Sequence, residues 1–573
     1  MPTIDIDLLE FEKLLGIAYL GNMTKLDEDL AFVKSEVKAY DEKEGIVSVE
    51  IKDTNRPDLW GVEGLARGLR CYLNLEKGPR RYDISESTVE VYVDSQLKGI
   101  RPYIGCSIVK NIHLSDKIIR GLMHLQDKLD QTYGRRRQKS SIGIYCLDLL
   151  KPPLTYTVGK PSEFSFVPLG FMDRMSLAEI LERHPKGQEY GHIVKKHNVY
   201  PILIDSEGKV LSFPPIINSN DLGRVTEQAH NLLVEVTGTI HQTVLNTLNL
   251  VTTALVDRGG KAYSATVHYP KDVFYSQKKV ITPDFSCKRV MLSVEYASQI
   301  IGLQFTGKQI GKLLLTAGLG VVGVNEKTVE VLVPNYRVDV MHTIDVVEDV
   351  AVAFGYNNII PLWRDLPTTG YQRPEQQLVN TARELMVGSG YQEVLSNTLT
   401  NPENLFTKMN LKQAPVVEIA NPKLVTMTVV RNWLLPSLIE FLSANQSVEF
   451  PQRVFELGKV TLPDETQDTG TRDEEWLAAV STHAEAGFSE IKACLESFFM
   501  NLGVAWEIKP ASNPSFIEGR AGKVLVNGLE VGMAGEVDPL VLEAWKLENP
   551  TAAFEVNFQR IIELKKNKLN NRH

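Results

Sequence analysis

Residues 333–356 read VPNYRVDVMHTIDVVEDVAVAFGY, and this stretch carries the most informative pattern in the chain. Asp345, Glu348 and Asp349 stand at positions i, i+3 and i+4, which places the three carboxylates on one face of a helix. Asp339 lies on the approach to that helix. The spacing therefore predicts a helix with an acidic face and a fourth carboxylate close to its start.

Four carboxylates that converge are hard oxygen ligands, which suit Mg²⁺ or Ca²⁺. Without a cation, like charges at this spacing cost roughly 0.2–0.5 kcal/mol per pair. The alternative is a helix face in water, whose first-turn acids favour the positive end of the helix dipole. The pattern by itself leaves both interpretations open.

The composition is typical of a folded protein with several domains, at roughly 100–200 residues each in a chain of 573 residues. The net charge of −9 means that RNA contacts need local basic patches or a more basic partner. The cysteine count is odd, at five, and the absence of a CxxC pair argues against a disulfide framework or a zinc site. The acidic start and the lack of a long apolar run predict a cytoplasmic protein without a membrane span.

The order of helical and strand patterns predicts an α+β multidomain fold. A small α/β unit is expected at residues 1–88, and alternating strands and helices at 89–275. Residues 285–360 predict a winged-helix-like module that ends in the acidic helix. Residues 370–573 are rich in strands with flanking helices, which favours an antiparallel sheet.

Two shorter stretches make sharper predictions. Residues 53–70, DTNRPDLWGVEGLARGLR, predict a turn at Pro57 and then a helix from Asp58 to about Leu73. Residues 200–215 predict a hairpin that turns at 205–208.

Several of these segments together resemble one family, the β subunit of phenylalanine–tRNA ligase of the archaeal and eukaryotic cytosolic type. The resemblance rests on segments that follow the family's order over nearly the whole chain. They are NRPDLWGVEGLARGLR at 55–70, LSFPPIINS at 211–219 with LLVEVTGT at 232–239, residues 333–359, and GRAGKVLVNGLEVGMAGEVDPLVLEAWKLENPTAAFEV at 519–556.

The resemblance implies an α-subunit partner in an α2β2 assembly that uses ATP to charge tRNA(Phe). Residues 370–573 are then expected to be a class II synthetase-like core that is degenerate and non-catalytic. Arg431, Arg453 and Arg520 are present, but their spacing does not reproduce an active ATP-binding set. Synthesis is accordingly expected in the α subunit.

The resemblance also makes residues 89–275 an editing domain. An apolar synthetic pocket rejects an added hydroxyl by only about 10²-fold, so a second site that hydrolyses Tyr-tRNA(Phe) is needed. Leu203, Ser212, Glu235 and Thr237 match the family's pocket region. Without the resemblance, the favoured interpretation is that Glu235 and Thr237 cap a strand end.

Three further expectations depend on the resemblance. In the family, four acids at the spacing of Asp339, Asp345, Glu348 and Asp349 bind Mg²⁺ at the contact with the α subunit. The basic run of Arg135, Arg136 and Arg137 is either a contact for tRNA phosphates or a solvated loop. Relatives commonly carry a His-Asp pair where this chain has Tyr145 and Cys146, which puts the strength of editing in doubt.

Two other functions compete with an editing subunit. The first is a scaffold that supports the α subunit and tRNA without editing, which the Tyr145-Cys146 departure favours. The second is a stand-alone nucleic-acid-binding protein, which the winged-helix-like order of elements suggests.

Overall fold

The computed structural model describes residues 2–270, 278–363 and 368–570, with side chains as far as residue 566. The chain divides into two compact units, Met1–Trp363 and Arg364–His573. The predicted boundary at residue 275 lies outside the described residues, as do residues 571–573 of the last predicted domain. Among the described residues, no helix combines the length and the apolar character needed to cross a bilayer.

The first unit begins with a small antiparallel sheet and three helices, and the predicted boundary of a separate unit at residue 88 stays a prediction. The sheet order is β1-β3-β2, and the helices pack on it around Phe11, Leu26 and Leu65. The elements are β1 (Thr3–Asp7), α1 (Leu8–Leu15), α2 (Met23–Leu30), β2 (Ser35–Asp41), β3 (Ile46–Ile51), α3 (Val62–Tyr72) and β4 (Ile84–Ser85).

The predicted helix from Asp58 is interrupted. Pro57–Leu59 forms a single 3-10 turn, and α3 starts only after Gly61, whose backbone is extended. The turn folds back so closely that a Cβ at Gly64 would lie 1.6 Å from the carbonyl oxygen of Asp58. Only glycine allows this approach, which explains the glycine between Glu63 and Leu65.

The next part of the first unit is a large mixed sheet with helices on its faces. Its strand order is β13-β12-β11-β8-β5-β15-β6-β14-β7, and β4 and β16 also pair with β15. The elements are β5 (Glu90–Val93), β6 (Tyr103–Lys110), α4 (Asp116–Gln131), β7 (Ser140–Cys146), β8 (Leu154–Gly159), β9 (Ser165–Phe166), β10 (Met175–Ser176), α5 (Leu177–Arg183), α6 (Pro185–Tyr190), β11 (Tyr200–Ile204), β12 (Val210–Phe213), β13 (Ile217–Asn218), α7 (Asn220–Gly223), β14 (Leu232–Gly238), α8 (His241–Asp257), β15 (Lys261–His268) and β16 (Lys279–Thr282).

Strand β14 shows why its sequence is almost continuously apolar. It lies between β6 and β7, antiparallel to both, and every residue from Leu232 to Gly238 is buried. Leu232, Val234 and Val236 belong to one core, and Leu233 to the core on the opposite face. A strand covered on both faces needs apolar residues at successive positions rather than at alternate ones.

Residues 288–354 form a small module in the predicted order. A sheet of order β17-β19-β18 carries three helices, and its core includes Ile310, Leu314 and Val350. The elements are β17 (Lys288–Ser293), α9 (Val294–Ile301), α10 (Gly307–Thr316), β18 (Gly320–Val324), β19 (Thr328–Val333) and α11 (Thr343–Phe354).

The second unit contains the predicted sheet with flanking helices. Its order is β20-β23-β24-β28-β27-β26-β25, and all neighbours are antiparallel except β20 and β23. The elements are α12 (Pro374–Gly388), β20 (Gln392–Glu393), β21 (Leu399–Thr400), α13 (Pro402–Leu405), β22 (Val429–Val430), α14 (Leu435–Ala444), β23 (Gln452–Pro463), β24 (Thr471–Thr482), α15 (Phe488–Leu502), β25 (Trp506–Pro510), β26 (Phe516–Val526), β27 (Leu529–Val537), α16 (Pro539–Ala544), β28 (Thr551–Asn557) and α17 (Phe558–Asn570).

Two buried ion pairs join α3 to the end of α8. Arg67 of α3 pairs with Asp257, and Glu63, one turn earlier, pairs with Arg258. The Tyr82 hydroxyl donates to the second oxygen of Asp257 at 2.9 Å. The Arg67 guanidinium also lies 4.3 Å above the ring of Tyr336. These charges therefore tie three parts of the first unit together inside its core.

Replacing Arg67 with alanine leaves the Asp257 carboxylate buried with one partner fewer. Arg80 still pairs with Asp257 at 3.2 Å, so we expect a loss in the free energy of unfolding below the roughly 3–5 kcal/mol that breaking a buried ion pair usually costs. Arg289→Ala removes an exposed pair with Glu330 and serves as the control, with little expected change. Urea unfolding of the three proteins measures both effects, and equal stability of Arg67→Ala and the wild type would contradict the structural role.

Candidate functional site

A cavity of about 310 Å³ lies in the first unit where the two ends of the large sheet approach each other. Edge strand β7 forms one side, β12 and β13 form the other, and α4 crosses above β7. The Gln126 side chain of α4 donates to the backbone oxygen of Ile142 at 2.9 Å, which holds the helix on the strand. The wall is mostly apolar and includes Ile119, Leu122, Ile144, Phe213 and Ile216.

Two of the predicted site residues, Ser212 and Glu235, line this cavity. Ser212 comes from β12 and Glu235 from the buried strand β14, and they are 1% and 2% exposed. The Tyr145 hydroxyl lies near Ser212, and the Thr237 hydroxyl lies near Glu235 and acts to lower its pKa, but among the described residues neither Oγ of Ser212 nor Oε1 of Glu235 has a partner at full hydrogen-bonding geometry. Buried polar atoms are nearly always satisfied, so the pair marks a place where a ligand can bond.

The carboxyl group of Glu235 titrates far from its ordinary range. Burial raises its pKa to about 7, against the opposing effects of the Tyr145 hydroxyl and the Arg101 guanidinium. Because the charged form is disfavoured by desolvation, this carboxyl is partly protonated near neutral pH. A group with such a pKa in a cleft is a candidate for binding or proton transfer.

Leu203 and Thr237 are not among the residues that line the cavity, and their assignment to the pocket stays a prediction. Leu203 is fully buried in the core on the other side of the sheet from α8. Thr237 receives hydrogen bonds from Arg101, at 3.0 Å to its Oγ1 and 2.7 Å to its backbone oxygen. Leu203 is paired with Ser212 across β11 and β12, and Thr237 lies two residues after Glu235 on β14, so both adjoin the residues that line the cavity.

The three arginines predicted to contact tRNA separate into two groups. Arg135 and Arg136 are exposed, and all three have left-handed backbones with φ between +50° and +62°. Arg137 turns inward and is only 9% exposed. It pairs with Asp130 at 3.0 Å, donates to the backbone oxygens of Pro215 and Ile216, and lines the cavity. The surface assignment is therefore wrong for Arg137 and stays a prediction for the other two.

Two further residues contact the site, Asn218, which sequence reasoning missed, and Tyr145, which it marked only as a departure from the family. The Tyr145 hydroxyl donates to Oε2 of Glu235 at 2.8 Å and lies 3.4 Å from Oδ1 of Asn218 in β13. Asn218 itself lines the cavity. Strand alternation puts Tyr145 on the same face of β7 as Gly143, but the pairing of Gly143 with Glu235 is seen only in the fold.

The acidic helix α11 forms as predicted, but its surroundings are not those of a free acidic face. Asp349 is buried and the side chain of Asp339 is only 8% exposed, and each carboxylate pairs with Arg337 at 2.8 Å. Arg56, from the N-terminal turn, lies 3.6 Å from Asp339. Burial acts to raise the pKa of Asp339, but the two arginines outweigh it and hold that pKa below its ordinary value.

The remaining two acids also have partners within the chain. Oδ2 of Asp345 accepts the backbone N–H groups of Met341 and His342 at 2.8 and 2.7 Å, and thus caps its own helix. Glu348 forms an ion pair with Lys34. Within the described residues, no three Asp, Glu, His or Cys side chains come together in a way that could hold a metal ion. The four acids border one small depression, but the arginines and Lys34 border it as well, so the donor set does not fit a Mg²⁺ site in this chain alone.

Comparisons with known proteins match both units. The family model described as the phenylalanyl tRNA synthetase beta chain CLM domain matches residues 364–558. The model of the tRNA synthetase B5 domain matches residues 290–356, which include the acidic helix.

Full-length relatives extend the match to nearly the whole chain. The phenylalanine–tRNA ligase β subunits of Pyrococcus furiosus and Pyrococcus abyssi are each 42% identical over 558 residues, covering 97% of this chain and 99% of the relative. The β subunit of Thermococcus onnurineus is 42% identical over 571 residues, covering 97% of this chain and 98% of the relative.

A solved structure agrees with the first unit. An N-terminal fragment of the phenylalanyl-tRNA synthetase β subunit from Pyrococcus horikoshii superimposes with a TM-score of 0.59 at 39% sequence identity, and the match covers 62% of this chain and all of the fragment. The likeness supports a mixed α+β multidomain fold. On these matches of sequence and structure, the chain belongs to the phenylalanine–tRNA ligase β-subunit family.

Proposed function

We propose that this chain works with an α-subunit partner in the ligation of phenylalanine to tRNA(Phe), and that its Glu235 cavity hydrolyses mischarged Tyr-tRNA(Phe). In this proposal the complex is an α2β2 assembly that consumes ATP, and the α subunit performs the synthesis. The relatives that match nearly the whole chain are named β subunits of this ligase, which supports the assignment of the partner.

The observation that carries the editing proposal is the pair of unsatisfied oxygens in an otherwise apolar cavity. A tyrosyl side chain is an apolar ring with one hydroxyl at its end. That hydroxyl can donate to Oε1 of Glu235 and accept from the hydroxyl of Ser212, so both buried atoms gain partners. With the ring so held, water can cleave the ester bond that joins tyrosine to the tRNA.

The same geometry gives a physical reason to spare Phe-tRNA(Phe). A phenylalanyl ring would leave Ser212 and Glu235 buried without partners, and that costs free energy. A site built to bond a hydroxyl discriminates by roughly 10⁴–10⁵, whereas an apolar pocket that must reject the hydroxyl reaches only about 10². Editing at this cavity therefore has the selectivity that the synthetic pocket lacks.

The arginines of the second unit support placing synthesis in the partner. Arg431 is buried and pairs with Glu456 at 2.8 Å. Arg453 and Arg520 pair with Glu490 and Glu536 at 2.8 and 2.6 Å. Each guanidinium is thus neutralised by a carboxylate of its own chain, which disfavours its use on ATP phosphates.

A scaffold without editing activity remains the alternative. The observation in its favour is that Glu235 is almost wholly buried and already holds the Tyr145 hydroxyl, as a purely structural pair would. The hypothesis of a stand-alone nucleic-acid-binding protein is disfavoured by the family assignment, because the matched relative is a ligase subunit over 99% of its length.

Glu235→Ala is expected to slow the deacylation of Tyr-tRNA(Phe) by the intact complex roughly 10- to 100-fold, the loss that follows from removing a hydrogen bond to a charged group. Synthesis of Phe-tRNA(Phe) is expected to stay at the wild-type rate. Glu207→Ala, on the hairpin that carries Ser212, is the control carboxylate and should change neither rate. Equal loss of both activities in Glu235→Ala would point to a structural role.

The raised pKa of Glu235 predicts a pH effect on stability. Its folded pKa of about 7 exceeds the ordinary value of 4.5, so the folded state binds more protons between these values, and stability falls as pH rises through this window. Glu235→Gln removes this titrating group. Between pH 4 and pH 8 the free energy of unfolding of the wild type should therefore fall by up to about 3 kcal/mol more than that of the variant. Urea unfolding at both pH values tests this. Burial also raises the pKa of Asp130 and of Glu555 to about 7. The contribution of Glu555 cancels because both proteins contain it, whereas Asp130 interacts with Glu235, so Asp130→Asn is introduced into both proteins as a second comparison.

The Mg²⁺ assignment stays a prediction, and no step of the proposed reaction depends on it. Because the four acids already pair with Arg337, Arg56, Lys34 and backbone N–H groups, we expect the melting temperature of the purified chain to be the same in EDTA and in millimolar Mg²⁺. A Mg²⁺-dependent rise that Asp345→Ala with Glu348→Ala abolishes would instead establish the ligand set.

A further inference from the structure

The Tyr145 side chain approaches Glu235 from the core rather than from the cavity. Tyr145 is fully buried and packs with Cys106, Leu233 and Tyr156 on the inner face of the sheet. Its hydroxyl reaches Oε2 of Glu235 at 2.8 Å. The Tyr145 ring is not part of the cavity wall, so it leaves the cavity open.

The two oxygens of Glu235 therefore differ in availability. Oε2 is occupied by the Tyr145 hydroxyl, whereas Oε1 has no partner among the described residues. A carboxyl held at one oxygen cannot turn freely about its terminal torsion, which is otherwise broad. The contact thus fixes which oxygen a ligand in the cavity can use.

Gly143 makes this contact possible. It is paired with Glu235 across β7 and β14, and a Cβ placed on it would lie 2.4 Å from the Tyr145 hydroxyl oxygen and 2.5 Å from Oε2 of Glu235. Real Cβ atoms do not approach other atoms so closely, so a side chain here would separate the pair. The site thus has three parts, namely a phenol, a carboxyl and a residue without a side chain.

We infer that Tyr145 is a positioning residue of the editing site, which holds Oε2 of Glu235 so that Oε1 alone receives the hydroxyl of a tyrosyl ligand. The inference rests on the proposed editing function. It assigns a role to the residue that stands where the family commonly has another, and it predicts that the departure adjusts editing rather than abolishing it.

The contact also affects the charge of Glu235. The Tyr145 O–H donates to the carboxylate and favours the ionised form, which is the better acceptor for a ligand hydroxyl. Loss of the Tyr145 hydroxyl would therefore raise the pKa of Glu235 further. The other titratable and charged groups around Glu235 are Arg101, Cys106, Asp130, Arg137 and Tyr156, and all of them remain in a Tyr145 variant.

The test compares Tyr145→Phe with Tyr269→Phe in the intact complex. Tyr269 is a buried phenol of the same core, and its hydroxyl donates to the backbone oxygen of Ile104 at 2.8 Å, so its variant controls for losing a buried hydroxyl.

Deacylation of Tyr-tRNA(Phe) and of Phe-tRNA(Phe) is measured from pH 5.5 to 9. Tyr145→Phe should lower the preference for the tyrosyl ester about tenfold, chiefly through KM, and move the rising limb of the pH profile to higher pH. Tyr269→Phe should leave both unchanged.

Gly143→Ala should disturb the same contact through its added methyl group. It should therefore lower the preference for the tyrosyl ester and move the pH profile of deacylation to higher pH, as Tyr145→Phe does. An unchanged preference and pH profile in Tyr145→Phe, with active wild-type editing, would overturn the positioning role and leave the proposed function standing. Equal changes in Tyr145→Phe and Tyr269→Phe would likewise overturn it, because a general packing effect would then explain both. No deacylation by the wild-type complex would overturn the editing function and this inference together.

Discussion

The crossed ion pairs between α3 and the end of α8 are the constraint on which the first unit depends. Glu63 and Arg67 stand one turn apart on α3, and they bind the consecutive residues Arg258 and Asp257. Burying four charges is costly unless each is paired and further hydrogen-bonded, as Asp257 is by Tyr82. The buried ion pairs and the apolar contacts of the same core together constrain the register of α3 against α8.

Helix α8 connects this register to the cavity, because it packs on the strands that carry the site. The helix packs on β6, β14 and β7, and its Val244 and Leu248 lie in the core beneath β14. The opposite face of β14 carries Glu235, so the position of the carboxyl is fixed by a strand that is buried on both sides. Binding groups on such a strand are held more precisely than groups on a loop. The raised pKa of Glu235 is the electrostatic consequence of that placement.

Local patterns in the sequence predicted most of the elements, and partners distant in the sequence account for what was missed. The hairpin at 205–208 and the acidic helix α11 follow from turn residues and from spacing. The neutralisation of Asp339 could not be foreseen, because one of its arginines comes from the N-terminal turn. The sequence placed Arg137 in a basic surface run, but its side chain is buried by an ion pair with Asp130 and hydrogen bonds to two backbone oxygens. Ser212 and Glu235 were found through the family's pocket region, whereas the contact with Tyr145 depends on a cross-strand register that only the fold reveals.

The crowding at Gly143 has a consequence for how the family can vary. Positions 143 and 145 share one small volume beside Glu235, so a methyl group at one and a phenol hydroxyl at the other exclude each other. Related chains should therefore change these two positions together: a tyrosine at the second should be accompanied by glycine at the first, and any larger residue at the first by a side chain at the second that stops short of the carboxyl. Such covariation would distinguish two arrangements within the family, one in which a tyrosine at the second position bonds the acid at position 235 and one in which another side chain holds it.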